Sequence, residues 1–546
     1  MPIHPESRES LLIRRLGAAL LTLLLAASFL LCAWQLSARA QGAASASGTV
    51  VDAAGPLGGA RVCVRATENA TLADAAGRFV LAGLVEGREV ELTAWADGYY
   101  VASAKVTPPA AGITLTLRPY HTVDNPDYAW PSPLAGSSEG ACGNCHPMII
   151  SQWITNAHGS AVSNPRLYSL YNGTDVAGVE PVAPGYQLDF PGTAGNCASC
   201  HAPAAAADGY LTTNMNDVRD VITAGIHCDF CHKIGGVYLD PATGSVYPNV
   251  PGAQGLRLLR PPAGDDIFFG PYDDVHDPDT YLPLISESRY CAPCHQFSFW
   301  GTPIYESYDE WLASPYAAEG VTCQDCHMPP TGETLFALPE VGGVERSPET
   351  IPSHLDLGAA SAELLQNSVA MTVSAESLGG LVRVTVTITN TQAGHHVPTD
   401  FPGRHLILTV SATDAQGRAL AQRGGPTVPV WGGAEAGLPG QAFAKVLRDV
   451  QSGESPVVSY WKQALIATDN RIPARQADVS TYTFAAPDGG VVKVAAELRF
   501  RRAFQPLMDA KGWDAPDILM EAARAEVAVA PRWRSHLPWV AAAGDR

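Results

Sequence analysis

The sequence predicts a multidomain chain with a small N-terminal β-sandwich, an irregular central region of mainly helix and coil, and a C-terminal β-sandwich. Apolar residues alternate between Gly-rich turns over residues 48–119, and alternation returns beyond Gln366. Between them regular periodicity is weak, and the pattern Cys-x-x-Cys-His occurs five times. A chain of 546 residues is long enough for several domains. We predict an export or anchoring segment at 1–40, domains at 41–119, 120–366 and 367–530, and a tail at 531–546.

The first 40 residues predict an export segment that is not part of the fold. Arg8, Arg14 and Arg15 precede an apolar run from Leu16 to Trp34, and Ala38-Arg39-Ala40 has the small-x-small pattern of a cleavage site. As a helix, the run would be roughly 28 Å long, which is close to the thickness of a bilayer core. A cleaved signal peptide and a retained membrane anchor both stay open. Either places the mature chain outside the cytoplasm, in the periplasm or at the cell surface.

Residues 48–119 predict short strands that pair into a small sandwich. Val62 and Val64 share one face of a strand, and Cys63 between them is interpreted as a small buried residue. The segments Gly48-Thr-Val-Val-Asp52 and Asp74-Ala-Ala-Gly77-Arg-Phe79 resemble carboxypeptidase-regulatory-like (transthyretin-like) domains. That resemblance implies a scaffold or partner-binding module without catalytic residues.

The central region is organised around the five Cys-x-x-Cys-His motifs. In c-type haem attachment the two thiols add across the haem vinyl groups, and the following His becomes the proximal iron ligand. Zinc sites and disulfides also use paired cysteines, but neither requires His directly after every second Cys. Short intervals separate motif two from three and motif four from five, which suggests two close haem pairs. The predicted cofactors are five covalent haems c, held by Cys142, Cys145, His146, Cys197, Cys200, His201, Cys228, Cys231, His232, Cys291, Cys294, His295, Cys323, Cys326 and His327.

Each haem iron has a second axial position, which the remaining histidines can fill. We predict His158, His227, His276 and His354 as distal metal ligands, because each lies near a motif in the sequence. His158 follows motif one in a segment that predicts a helix. His227 directly precedes Cys228, so it is expected to serve a neighbouring haem.

Several segments resemble the multihaem c-type cytochromes akin to the tetrahaem cytochromes of ammonia oxidisers. The resemblance lies in motif one with Trp153 and His158, in Tyr290-Cys-Ala-Pro-Cys-His295-Gln-Phe, in Glu306-Ser-Tyr-Asp-Glu-Trp311, and in Val321-Thr-Cys-Gln-Asp-Cys-His327-Met-Pro329. It implies bis-histidine haems arranged for electron transfer.

One further segment of that family is matched in the C-terminal region. Gly394-His395-His396-Val-Pro398-Thr399 resembles a Gly-His-x-x-Pro-Thr-Gly segment, with Asp400 where Gly is usual. The resemblance implies that His395 is the fifth distal ligand, with His396 or His121 as alternatives, and that this domain is docked on the haem domain.

The C-terminal region predicts a second sandwich. Val382, Val384, Val386 and Ile388 alternate with polar residues. Asp488-Gly489 predicts a hairpin turn, and a short helix is predicted at residues 518–524. His405 lies on a strand pattern and is interpreted as a packing residue.

Composition limits the partners. The chain has 54 Asp and Glu against 35 Lys and Arg, a formal net charge of −19, which gives no electrostatic basis for binding nucleic acid or anionic lipid. Redox partner proteins or a quinol-oxidising membrane complex are the expected partners, and a homo-oligomer or filament stays open.

Two function classes follow from the motifs. The first is extracytoplasmic electron transfer with no catalytic residue, and the alternative is a multihaem oxidoreductase acting on small nitrogen or sulfur compounds at one open-site haem. The spare histidines suffice to fill every site, and no Cys-x-x-Cys-Lys variant occurs. Electron transfer is therefore favoured.

Overall fold

The computed structural model describes residues 43–531 apart from Glu139, Glu180, Tyr210 and Asp277. The predicted export segment and nearly all of the tail lie outside these residues. The chain divides into two compact units, one formed by residues up to Thr122 together with Asp266–Leu282, and the other by Val123–Asp265 together with the chain from Pro283 onwards. Within the described part, no helix has the length and apolar character needed to cross a membrane.

The N-terminal unit contains the predicted β-sandwich. One sheet pairs the strand Ala43–Asp52 with Gly55–Pro56 and Arg78–Val85 antiparallel and with Ala110–Thr116 parallel. The second sheet has the strand order Ala70–Leu72, Arg61–Val64, Val90–Trp95, Ala102–Val106. Apolar residues from both sheets form one core, as the alternation predicts. Cys63 is buried, and burial raises the pKa of its thiol to about 11.

The segment Asp266–Leu282 packs in this N-terminal unit, although its sequence position had placed it in the haem domain. Its strands Phe268–Gly270 and Asp279–Tyr281 pair in parallel. The Tyr281 ring packs edge-on against Trp95 at a centroid distance of 5.0 Å, and Arg61 Nε lies 2.7 Å from Asp273. Aromatic packing and an ion pair therefore hold this segment in the N-terminal unit, and not in the domain 120–366 that the sequence predicted for it.

The central region is irregular, as predicted, and its helices are short. Pro165–Asn172 shows how they are bounded: the Asn164 side chain accepts a hydrogen bond from the Arg166 N–H, Pro165 occupies the first turn, and Gly173 ends the helix with φ 74°. The other helices are Cys142–Cys145, Pro147–Trp153, Tyr186–Asp189, Cys197–His201, Pro203–Ala206, Cys228–Cys231, Ala292–His295, Ser307–Leu312, Pro315–Ala318 and Cys323–His327. Two antiparallel strand pairs join them, Ile234–Val237 with Leu256–Leu258 and Phe297–Phe299 with Thr302–Tyr305. The 3-10 turns are Met215–Asp217, Gly252–Gly255, Pro283–Ser286, Ser288–Tyr290, Pro339–Val341 and Pro348–Thr350.

The C-terminal sandwich is also confirmed. Its first sheet has the order Val369–Leu378, Leu381–Asn390, Ala477–Ala485, Gln422–Gly424. Its second has the order Ala464–Asp469, Gly440–Asp449, His405–Thr413, Gly490–Arg501, Ile518–Val529. The helices Ala362–Ser368 and Gln505–Lys511 and the 3-10 segment Val430–Glu435 lie between strands.

Two local predictions in this domain are wrong. Residues 518–524 form part of the strand Ile518–Val529, which pairs antiparallel with Gly490–Arg501 along its length, so sheet pairing overrides the helical propensity of its Ala and Glu residues. Asp488-Gly489 joins strands that belong to different sheets, so the turn crosses the sandwich and does not close a hairpin.

Buried ionic contacts join this sandwich to the central region within one unit. Arg471 Nη1 lies 2.5 Å from Glu310 Oε1, and the two side chains are 3% and 4% exposed. Lys445 Nζ lies 2.7 Å from Glu306. Buried charges need such partners, so these contacts favour one fixed arrangement of the two regions.

Candidate haem-binding region

Each Cys-x-x-Cys-His motif forms a single helical turn. The His146 N–H donates to the Cys142 carbonyl at 2.9 Å, the His232 N–H to Cys228 at 2.9 Å, and the His295 N–H to Cys291 at 3.2 Å. Positions i, i+3 and i+4 share one face of a helix, so both thiols and the imidazole face the same side. None of the eleven described cysteines is in a disulfide. The local geometry therefore suits attachment of one planar group to each motif.

Side chains outside the motif helices also position the motifs. The Trp153 Nε1–H donates to the Ile226 carbonyl at 2.9 Å, and the Tyr290 hydroxyl donates to the Cys231 carbonyl at 2.8 Å. The Trp311 Nε1–H donates to Val321 at 2.8 Å, just before motif five. Gly252 allows close approach to motif two, because a Cβ there would lie 2.1 Å from the Ser199 oxygen.

Two of the predicted distal histidines face proximal histidines. The ring centroids of His158 and His295 are 6.3 Å apart, and those of His327 and His395 are also 6.3 Å apart. Two imidazoles bound in line to one metal through bonds of about 2 Å bring their ring centroids to roughly 6 Å. Both pairs therefore have the spacing that coordination of one metal between them requires.

The Nδ1 atoms of both pairs have partners. His295 Nδ1 lies 3.5 Å from Asp400 Oδ2, and His158 Nδ1 lies 3.2 Å from Asp356 Oδ2. His327 Nδ1 hydrogen-bonds the Leu357 carbonyl, and His395 Nδ1 lies 2.8 Å from the His396 carbonyl. Such contacts fix the tautomer with Nε2 as the free acceptor, the form that binds a metal.

In motif one, too, the Nδ1 atom of the motif histidine has a partner and a predicted distal histidine lies nearby. His146 Nδ1 lies 2.9 Å from the Phe336 carbonyl. Burial lowers the pKa of His354, and His146 is close enough to lower it further through its charge. Gln152 Oε1 accepts the His354 N–H at 2.7 Å, which anchors the loop that carries this histidine. The structure thus brings predicted ligand His354 near motif one.

Two predicted distal ligands have other surroundings. His227 caps the helix Cys228–Cys231: its Nδ1 accepts the Phe230 N–H at 3.3 Å, and its Nε2 lies 3.1 Å from the Thr223 carbonyl. Both ring nitrogens are therefore engaged locally, and burial lowers its pKa to about 4. His276 lies in the N-terminal unit with Nε2 4.0 Å from Glu91 Oε1.

The two alternative ligands, His396 and His121, and the predicted packing residue His405 lie in different surroundings. His396 donates its N–H to Glu310 Oε2 at 3.0 Å, and its Nδ1 lies 3.6 Å from Glu310 Oε1. His121 lies in the N-terminal unit. His405 is buried and stacks on Phe504 at 5.2 Å, which agrees with a packing role.

The motifs adjoin one another in an order that their sequence intervals did not fully predict. Hydrogen bonds between thiols raise the pKa of Cys228 through Cys142, of Cys291 through Cys323 and of Cys294 through Cys200. Motif one therefore lies beside motif three, and motif four beside both motif five and motif two. The expected pairing of motifs four and five agrees with these contacts. Motif two adjoins motif four, because the number of residues between two motifs limits how far apart they can lie but does not decide which motifs come into contact.

Motif two differs from motifs four and five. Within the described residues, the His201 ring makes no contact with another histidine ring of the kind seen at His295 and His327. Burial raises the pKa of Tyr305 and Tyr460, and both tyrosines lie near Cys200. Their ring centroids are 6.1 Å apart. Two protonated phenols thus lie beside this motif, a feature that tyrosine spacing in the sequence does not reveal.

Comparison with known proteins agrees with this reading. Residues 141–233 match the family model for cytochrome c554 and c-prime. The fold is similar to that of a penta-haem cytochrome c552 from Thermochromatium tepidum, with a TM-score of 0.52 and 22% identity over 71% of this chain and 97% of that one. A family 123 glycoside hydrolase from Clostridium perfringens aligns with a TM-score of only 0.13, 8% identity, and 29% and 27% of the two chains. No curated protein sequence matches the chain significantly.

The residues present fit covalent haem. The motif turns place two thiols and an imidazole on one face, and two imidazole pairs have the spacing for axial coordination. Together with the family match over residues 141–233 and the similar fold, these features support several covalent c-type haems on this chain.

Proposed function

We propose that this chain transfers electrons outside the cytoplasm through five covalent haems c, one at each motif. The observation that carries the proposal is the pairing of His158 with His295 and of His327 with His395, each at a centroid distance of 6.3 Å. Where two of these imidazoles would hold one iron, no position would remain for substrate, and the site would support outer-sphere electron transfer. Bound haem supplies an iron that accepts and releases one electron.

The chain's own residues hold and shield these sites in the proposal. The histidine of each motif would hold the iron on one side: His146, His201, His232, His295 and His327. On the other side, His158, His354 and His395 would hold it, because each lies near a motif histidine. His227 is assigned to helix capping. His276 and His121 lie in the N-terminal unit and are assigned to no motif.

Neighbouring motifs define the proposed route for electrons. Contacts between thiols join motif one to three, motif two to four and motif four to five. Motif four also lies near motif three, because Cys294 is close enough to Cys231 to raise the pKa of that thiol through its charge. Motif four is therefore the branch point of the proposed route.

The experiment combines haem counting with spectroscopy of single variants. A haemochrome assay with protein quantitation should give five haems per mature chain. His158→Ala and His395→Ala should each convert one low-spin ferric signal to a high-spin one in electron paramagnetic resonance, because each removes one axial ligand. His405→Phe is the matched control, since His405 is a buried histidine of the same sandwich that stacks on Phe504. Four or fewer haems, or unchanged low-spin signals in both Ala variants, would contradict the proposal.

Membrane attachment and partners are separate parts of the proposal. The acidic charge of −19 favours a redox partner protein with a basic docking surface, which would make association weaken with added salt. A quinol-oxidising membrane complex fits the same role if the N-terminal segment is retained as an anchor. Fractionation of the expressed full chain, with N-terminal sequencing of the mature protein, separates an anchored form from a released one.

A second candidate function is favoured by the surroundings of motif two. There the iron held by His201 would keep an open position, and the chain would act as an oxidoreductase on small nitrogen or sulfur compounds. Tyr305 and Tyr460 have raised pKa values because they are buried, so their phenols stay protonated at neutral pH and can donate hydrogen bonds or protons to a bound substrate.

Ligand binding distinguishes the two candidates. If motif two has an open iron, the reduced protein should bind one equivalent of carbon monoxide, and nitrite or hydroxylamine should be turned over. Tyr460→Phe should then slow turnover, whereas Tyr168→Phe should not, because the Tyr168 hydroxyl donates to the Met215 carbonyl. Absence of both ligand binding and turnover would leave electron transfer as the function.

A further inference from the structure

Two buried carboxylates distinguish the histidine pair at motif four from the pair at motif five. At motif four, Asp356 lies 3.2 Å from His158 Nδ1 and Asp400 lies 3.5 Å from His295 Nδ1. At motif five, the partners of His327 and His395 are the neutral carbonyls of Leu357 and His396. The two sites therefore share an imidazole pair but differ in the charge beside both imidazoles.

Both carboxyl groups also have donors other than the imidazoles. The Ser307 hydroxyl donates to Asp400, whose other oxygen lies 3.9 Å from Arg404 Nη1. The Asn156 side-chain amide donates to Asp356 at 2.6 Å. These donors leave each carboxylate able to accept from an imidazole as well.

The backbone at both aspartates is unusual. Asp356 has φ 45° and Asp400 has φ 61°, in the left-handed region that non-glycine residues occupy at a cost. The left-handed conformation also explains why Gly is usual at the position of Asp400 in the related segment. Conformational cost at two positions that both touch an axial imidazole indicates that the side chains matter there.

We infer that Asp356 and Asp400 are positioning residues that lower the midpoint potential of the haem at Cys291 and Cys294 below that of the haem at Cys323 and Cys326. A carboxylate that accepts a hydrogen bond from Nδ1 increases the electron donation of Nε2 to its metal. Greater donation from both axial ligands stabilises ferric over ferrous iron. The inference rests on the axial pairs proposed above, and it concerns the branch point of the proposed route.

Asparagine substitutions test the charge without changing the shape. Asp356→Asn and Asp400→Asn keep an acceptor oxygen at the same position, and Asn tolerates the left-handed conformation better than most residues. The matched control is Asp309→Asn, which removes a carboxyl group near the same motif, bonded to Gln296 at 2.8 Å. His158→Ala identifies the signal to follow, since the low-spin signal that it abolishes belongs to the iron at His295.

The assay is a redox titration of the intact holoprotein followed by electron paramagnetic resonance. In each Asp→Asn variant, the signal identified through His158→Ala should titrate at a higher potential, with the reduction equilibrium constant increased about tenfold, or about 59 mV for one electron. The double variant should show the sum of the two shifts, because the carboxylates act on different imidazoles. The other signals, and all signals in Asp309→Asn, should keep their wild-type potentials.

Each contrary result of this titration would contradict a different step of the inference. If His158→Ala abolishes a signal but that signal titrates as in the wild type in the double Asn variant, the role of the carboxylates is refuted and the axial pair stands. A uniform shift of all haems also refutes it, since that is the effect of net charge alone. If His158→Ala abolishes no low-spin signal, the axial pairing itself is wrong. Should one Asn variant not fold, the other gives the same decision.

Discussion

Replacing Glu310 by Gln should weaken both the fold and the ligation at motif five. Glu310 Oε1 pairs with Arg471 at 2.5 Å, and Glu310 Oε2 accepts the His396 N–H at 3.0 Å and the Thr399 hydroxyl at 2.7 Å. One buried carboxylate thus holds a guanidinium of the sandwich and the loop that carries His395. In Glu310→Gln, the side-chain amide has only one acceptor oxygen, so it cannot accept hydrogen bonds both from the guanidinium and from the loop.

The expected loss is set by how much of the ion network remains. Removing one partner of a buried ion pair costs about 3–5 kcal/mol. Arg471 keeps Asp469 at 2.7 Å and Glu306 at 3.2 Å, so the lower end of that range, about 3 kcal/mol, applies to Glu310→Gln. Because the His395 loop loses its anchor as well, the low-spin signal assigned to motif five should broaden or lose intensity.

Urea unfolding of the holoprotein measures the change in free energy of unfolding. Glu319→Gln is the matched control: Glu319 pairs with Arg475 at 2.5 Å, but the two side chains are 47% and 44% exposed. Exposed pairs contribute about 0–1 kcal/mol, so the control should unfold nearly as the wild type does. Equal losses in the two variants, or an unchanged motif-five signal in Glu310→Gln, would show that Glu310 does not anchor this loop.

Three further predictions follow from buried groups and from the division into units. Lys511→Met should destabilise the chain by about 2–4 kcal/mol in urea unfolding, because Lys511 Nζ donates to the carbonyls of Ser169, Thr174 and Val182, which would lose their partner. Burial lowers the pKa of Lys511 from 10.5 to about 8, so between these pH values the unfolded chain binds more protons than the folded chain. The free energy of unfolding of the wild type should therefore rise with pH across that window, and it should rise less in Lys511→Met. Deleting Gly48 to Arg118 should leave the haem spectrum unchanged but make Asp266–Leu282 sensitive to proteases, since that segment would lose Trp95 and Arg61. Loss of a low-spin haem would instead show that a haem ligand depends on the N-terminal unit. Cys63 should resist alkylation in the native protein at pH 8, because burial raises its pKa to about 11, and mass mapping of labelled peptides checks this.

Local sequence patterns predicted most of the fold, because alternation of apolar residues reflects which face of a strand is buried. They failed where tertiary pairing decided the outcome. Residues 518–524 have helix-forming side chains, yet they pair with Gly490–Arg501. Asp266–Leu282 has no pattern that distinguishes its partner, so only its packing against Trp95 assigns it to the N-terminal unit.

The candidate site shows the same division between local and tertiary information. The proximal histidines follow from the motif itself, because both thiols and the imidazole lie within one turn. A distal histidine is defined only by which other element faces it. His227 is adjacent to a motif in the sequence but caps its helix, whereas His395 is 68 residues beyond His327 and still faces it at 6.3 Å.

The C-terminal sandwich contributes to two neighbouring motifs through one loop. The loop between the strands Leu381–Asn390 and His405–Thr413 places the His395 ring opposite His327 and the Asp400 carboxylate beside His295. Glu310 and Ser307, both in the helix Ser307–Leu312 between motifs four and five, bind this loop from the other side. Movement of the loop would therefore change the proposed ligand at motif five and the charge at motif four together. A sandwich fixed by buried ion pairs keeps both constant, so under the proposed ligation this domain would help to set the redox properties of motifs four and five although it has no haem motif of its own.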